Sequence, residues 1–298
     1  MLCETLTKRI VDMASDEQES DQTEIEKIRD ELARTSQTNW EKALEKFISA
    51  ALGSIPWVGG FISAAADLKF QDKSTKENNL QTRWLEEHTK KLAQLSDTMS
   101  YITSRFETLG EQIEERIQSE PYLGIVRRAF RAWDRADTDE KRKYVGNLVS
   151  NASGTTLTSD DVIRLFVDWL DIYHEAHFAV IRQIYQKPGC TRYDIWESIN
   201  GTFPREDSAE ADLFRMLIRD LSTGGVIRQE RATTADGQFL KKPRVPHRGI
   251  SSTTVESSFD DMKPYVLTEL GKQFVHYTMS DVVPRIGTDT SSSDAPSA

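Results

Sequence analysis

Apolar residues recur at three- and four-residue steps through most of the first 170 positions, with charged or amide side chains between them, which predicts a stack of amphipathic helices. Ile25, Ile28 and Leu32 form one stripe, and Trp40, Ala43, Leu44, Phe47, Ile48, Ala51 and Leu52 form the next. From Leu85 the steps continue through His88, Leu92, Leu95, Met99, Ile102, Phe106, Leu109 and Ile113, predicting one long helix over 80–118 with the heptad seam of a coiled coil or helical hairpin. Gly110 reads as a mild interruption. The N-terminal stripe offers this seam a partner within the chain, and pairing with a second copy is the alternative. Pro121 suits the first turn of a further helix, which turns Tyr122, Ile125, Val126, Ala129, Phe130 and Trp133 inward and leaves Arg127, Arg128, Arg131 and Arg135 to solvent. Asp137 and Glu140 have the spacing of a capping box for a helix with Tyr144, Val145, Leu148, Val149 and Ala152 inward, ended by Gly154. Ser159 and Asp160 then cap a connecting helix over 158–173, with Val162, Phe166, Trp169 and Tyr173 expected to pack against the domains on either side.

One stretch departs from the charged background. The run from Phe47 to Ala66, FISAALGSIPWVGGFISAAA, carries no charge and has the length of a membrane span, yet Gly53, Pro56, Gly59 and Gly60 lie at its centre. It therefore reads as two short helices around a bend. Two readings stay open: the buried heart of the bundle, or a segment that enters lipid when the bundle opens. On the second, Phe47, Ile48, Leu52, Ile55, Trp57, Val58, Phe61 and Ile62 are the membrane-interacting residues.

The last third changes character. Helices are predicted over 174–186, 191–200 and 208–222, the last with Leu213, Met216, Leu217 and Leu221 inward, and a turn at Lys187-Pro188-Gly189. A β-prone segment follows Gly224-Gly225, then a polar loop with Asp236-Gly237, then Tyr265-Val266-Leu267 and a closing helix. Thr268 is placed to cap that helix, and Gly271 to let strand and helix approach. The order resembles a winged helix-turn-helix domain over 174–280, and Leu217–Ile227 and Tyr265–Phe274 resemble that superfamily's third helix with first wing strand and its closing strand with helix cap. The overall expectation is a mainly α chain: a flexible N-terminus (1–20), a helical bundle (21–157), a connecting helix, a winged-helix-like α+β domain, and a disordered Ser-rich tail (285–298).

Charge narrows the partners. The net charge is −10, which argues against wholesale binding to nucleic acid. Locally, Arg228 to Arg248 holds six basic residues against two acidic ones, so Arg228, Arg231, Lys241, Lys242 and Arg244 of the loop region, with Arg215 and Arg219 of the third helix, are the candidate nucleic-acid contacts. The third helix is a poor surface for a polyanion because Glu210, Asp212 and Asp220 share it. Two cysteines, Cys3 and Cys190, supply neither a disulfide framework nor a thiolate metal site and fit a reducing cytosol. His174 and His177 lack zinc-protease spacing, and a surface or interdomain pair is expected of them rather than a metal site. There is no phosphate-binding glycine loop and no nucleophile elbow, so neither an enzyme nor a cofactor is expected.

The bend Ile55-Pro56-Trp57-Val58-Gly59-Gly60 and the helix Glu140–Ala152 resemble the Abi-alpha abortive-infection family of bacterial proteins. That resemblance implies a bacterial protein of the cytoplasm or its inner membrane, acting in antiviral defence, and supplies no catalytic residues. The expected function is a non-enzymatic defence or stress effector whose helical domain associates with membrane and whose second domain docks a protein partner. A DNA-binding regulator with a helical oligomerisation domain, and a protein-binding scaffold, are the alternatives.

Overall fold

The computed structural model describes residues 39–58, 60, 78–154, 158–236, 238–240 and 257–279, with backbone alone for 78–87 and Glu111. The Ile25–Leu32 stripe, Phe61, Ile62, Lys241, Lys242, Arg244 and both termini lie outside the described residues. The chain is mainly helical and divides into two compact units, Met1–Ile172 and Tyr173–Ala298.

In the first unit, α1 (Asn39–Leu52) buries Ala43, Phe47, Ala50 and Ala51. The long helix α2 (Asn78–Leu109) stops well short of residue 118. Gly110 takes a positive φ of 68°, the chain tightens into a 3-10 turn over Gly110–Ile113, and α3 (Glu114–Ile117) follows. Left-handed backbone is cheap only at glycine, so Gly110 ends the helix rather than merely interrupting it. Leu95, Met99, Ile102, Phe106 and Ile113 of the seam are buried within the chain. Among the described residues their main partner is a helix some forty residues downstream.

α4 (Glu120–Arg135) and α5 (Asp139–Gly154) have the predicted faces. α4 packs on α1, on α5 and on α6 (Asp160–Ile172), while α5 closes over α2. Polar contacts set the register: Tyr101 donates to Asn147 Oδ1 at 2.8 Å, and Trp133 Nε1 to Thr98 Oγ1 at 3.1 Å. The buried Tyr122 hydroxyl donates to the Val149 carbonyl at 2.8 Å, and burial pushes its pKa up. The cap of α5 is Thr138, whose hydroxyl accepts from the Lys141 amide, one residue after the predicted Asp137. On α6 the buried face is Ile163, Phe166, Val167, Trp169 and Leu170, with Val162 only half-buried, and it packs into the first unit.

The four arginines of α4 face outward as expected. Three make ion pairs: Arg127 with Glu120, Arg128 with Asp168 and Arg135 with Asp171, while Arg131 is exposed. Such exposed pairs are screened by solvent and add little to stability. Arg116 of α3 is a different case, since it forks onto Asp160 at the start of α6 and lies 5.2 Å from the centre of the Tyr122 ring. Hydrogen bonding to Arg116 holds the Asp160 carboxyl below its ordinary range. Its stabilisation is therefore present above the ordinary carboxylate pKa and fades as pH falls through the lowered one.

Gly124 sits in the interior of α4 with nothing within 4 Å of where a Cβ would be. Gly124→Ala is expected to stabilise the first unit by about 0.5–1 kcal/mol, read as a shift of its urea midpoint at constant slope.

The second unit runs α7 (Glu175–Gln186), α8 (Arg192–Asn200), α9 (Ala209–Thr223), β1 (Ile227–Gln229), β2 (Tyr265–Leu267) and α10 (Glu269–Thr278). Thr191, Ser208 and Thr268 cap their helices through side-chain oxygens. β1 and β2 pair antiparallel with Arg228 opposite Val266, and Cys190 forms an isolated bridge to Tyr265 on the strand's other side. A second bridge, Thr233 to Phe239, closes part of the loop after β1. On α9 the buried residues are Ala211, Phe214, Leu217, Ile218 and Leu221. Leu213, expected inside, is 50 % exposed, and Met216 is half-buried.

Candidate functional site

The apolar run is seated in the first unit by its leading half. Helix α1 ends at Leu52, and Gly53 and Ser54 turn the chain, with the Ser54 hydroxyl donating to the Ala51 carbonyl at 2.7 Å. A Cβ on Gly53 would meet the Ser49 carbonyl oxygen at 2.8 Å, so the bend needs glycine there. Of the residues expected to contact membrane, Phe47, Ile55 and Val58 are buried, while Ile48, Leu52 and Trp57 are half-buried. Phe47 meets Phe106 edge-on at 5.0 Å and Phe130 at 6.3 Å.

A polar clasp follows the bend. Trp57 Nε1 donates to Asp134 Oδ1 at 2.6 Å, and Lys91 Nζ donates to the same oxygen at 2.5 Å and to the Asp134 carbonyl at 2.8 Å. The ammonium of Lys91 also lies 5.6 Å from the centre of the Trp57 ring, whose edge packs on His88 at 5.0 Å. Asp134, at the end of α4, thus accepts from both the bend and α2. Its side chain keeps 19 % of its exposure and that of Lys91 27 %, so both ions remain in reach of water. Nothing local in the sequence marks Asp134, which stands among alternating Arg and Asp residues.

The predicted cationic surface of the second unit is divided. Arg215 pairs with Asp212 at 3.0 Å and Glu206 at 3.5 Å, and Arg219 lies 3.8 Å from Asp220, so the third helix presents its arginines already matched by carboxylates. Arg228 stacks over the Phe239 ring at 4.8 Å. With Arg231, Lys272 and Glu230 it borders a half-open groove of about 340 Å³ whose floor is Ile184, Tyr185, Pro188, Val266 and Leu267. The structure therefore brings Arg228 and Arg231 to one groove.

His177 is buried rather than on a surface, and its Nδ1 accepts the His174 amide, capping α7. Asp171 pairs with Arg135. No cluster of three metal-ligating side chains occurs among the described residues. Cys190 is buried, and burial followed by the charge of Asp194 pushes its thiol up to about 11 from an ordinary value near 9. The folded state holds this proton more tightly, so the associated stability is full below pH 9 and lost as pH rises through about 11. Cys190 is accordingly expected to react with a thiol reagent at pH 8 only on unfolding; rapid labelling of the native protein would refute its burial.

No helix among the described residues is long and apolar enough to cross a membrane. No protein-family model, curated protein or solved structure matches the chain.

Proposed function

We propose that this chain is a non-enzymatic effector in which the first unit keeps the apolar run at 47–66 sheltered, and release of that run allows association with a membrane. The observation that carries this reading is the clasp: the half-buried Trp57 of the bend and Lys91 of α2 share one part-exposed acceptor, Asp134, which a change of charge or a competing partner can undo. Sheltering and membrane entry compete for the same apolar surface, so a modest loss of clasp energy shifts the population toward the open state. On the resemblance of Ile55–Gly60 and Glu140–Ala152 to the Abi-alpha family, the proposed setting is bacterial antiviral defence at the inner membrane.

The test uses vesicles of phosphatidylglycerol and phosphatidylethanolamine with the full chain. Asp134→Ala removes both side-chain bonds at a cost of about 1–3 kcal/mol and is expected to raise the vesicle-bound fraction severalfold while helical content persists. Val58→Asp, a natural first choice from sequence, is a poor probe, since Val58 is buried and a carboxylate there would loosen the unit itself. Failure of both wild type and Asp134→Ala to bind vesicles would reject the membrane role.

The second unit is proposed to be winged-helix-like, on its order of three helices, strand, loop, strand and helix, and to serve in docking. One observation favours DNA as a second reading: Arg228 and Arg231 face outward beside Lys272. That reading predicts duplex binding at low salt that weakens in Arg228→Ala with Arg231→Ala. Equal binding by the double variant would remove it.

A further inference from the structure

We infer that the second unit carries an acidic-rimmed aromatic surface that docks a cationic amphipathic segment of a protein partner. It rests on the docking role just proposed and is independent of membrane entry by the first unit.

The surface is built where four stretches of chain meet. Tyr193 on α8 stacks on Phe203 in the following loop at 4.5 Å, Phe203 meets Phe259 edge-on at 5.3 Å, and Phe259 rests on Trp196 and Phe214 below. The Tyr193 amide donates to the Asp260 carbonyl, and Asp260 in turn accepts from the Met262 amide, which fastens the 257–263 turn beside the rings. Trp196, at 8 % exposure, and Phe214, at 2 %, form the floor, while Tyr193 at 40 %, Phe203 at 37 % and Met262 at 79 % stand in solvent. Outward-facing rings fixed on a buried aromatic base offer apolar area with little rotamer entropy left to lose, the property of binding anchors.

Charge selects the occupant. Residues 192–215 and 257–263 together hold eight carboxylates against four basic side chains, a net −4. The three arginines among these four basic groups are engaged within the unit: Arg205 forks onto Asp207, Arg215 pairs with Asp212 and Glu206, and Arg192 binds the Tyr265 hydroxyl. Glu197 and Asp261 stand exposed at the rim. A nucleic acid or an anionic lipid surface is repelled by such a rim, whereas a helix with Lys or Arg beside an apolar stripe matches both the rings and the carboxylates.

The full chain is titrated into a fluorescein-labelled Leu/Lys amphipathic peptide and, separately, into its Leu/Glu counterpart, with anisotropy as the readout. Binding of the cationic peptide is expected, with affinity falling about tenfold or more in Tyr193→Ala with Phe203→Ala. Asp261→Lys is expected to weaken it further and to flatten its salt dependence. Met262→Ser, which touches a side chain 79 % exposed, serves as a second variant should the ring pair prove destabilising. The inference is overturned if the anionic peptide binds equally well, if the folded variants keep wild-type affinity, or if sedimentation shows a dimer that Phe203→Ala dissociates, which would make a second copy the occupant. Vesicle binding by Asp134→Ala is a separate measurement, so loss of peptide binding alone leaves the membrane proposal standing.

Discussion

Gly271→Ala is expected to unfold the second unit. An ideal Cβ at Gly271 would lie 2.2 Å from the Val226 carbonyl oxygen and 3.1 Å from its carbon, and both are backbone atoms with no flexible end to move aside. That carbonyl cannot retreat cheaply, because it accepts the Thr268 amide at 3.0 Å, and the Thr268 hydroxyl bonds the Gly225 carbonyl at 2.6 Å. The same hydroxyl accepts the Gly271 amide at 2.9 Å and caps α10. One methyl group would therefore push α10 off the backbone that leads into β1 and break a capped junction, at a cost of roughly 3 kcal/mol or more. Hydrogen exchange resolved by peptide is the measurement. Protection should be lost over the helices at 175–223 and 269–278 and kept over 88–154, and unchanged exchange throughout would refute the close approach.

Phe47→Ala should have the largest effect in the first unit, about 3–5 kcal/mol. Its ring is fully buried between Phe106 of α2 and Phe130 of α4, so truncation leaves a cavity where three helices meet. The urea midpoint of this unit should fall steeply, while Ile172→Ala, at a side chain 65 % exposed, should stay within about 0.5 kcal/mol of wild type. The variant also bears on function. Weaker sheltering should raise vesicle binding in step with lost stability, and a destabilised Phe47→Ala protein that binds no more vesicle than wild type would uncouple the two.

How far the sequence could be read differs between elements. On α4 and α5 every residue expected inside is at most 4 % exposed; α4 has an apolar stripe set against outward arginines, while on α5 the uncharged Gly146, Asn147 and Ser150 are buried along with the stripe. On α9 the reading slipped: Leu213-Phe214 and Met216-Leu217-Ile218 are adjacent apolar residues, periodicity does not choose between them, and packing buried Phe214 and Ile218 while leaving Leu213 exposed. Gly110 was visible as a break but not as a terminus, since a lone glycine costs about 1 kcal/mol inside a helix and only the surrounding packing decides whether the chain turns.

By itself, then, the sequence determined the helical character of the first unit, a bend within the apolar run that begins at Phe47, and the Thr268 cap and small residue at Gly271 of the second. These are local properties, carried by spacing and backbone freedom within a few residues. Only the tertiary structure decided that Asp134 would hold Trp57 and Lys91, that the arginines of α9 would be matched by carboxylates, and that Tyr193, Phe203, Phe259 and Met262 would form one acidic-rimmed surface. A polar or aromatic side chain acquires such partners from residues far along the chain, and their distance in sequence leaves no period to read.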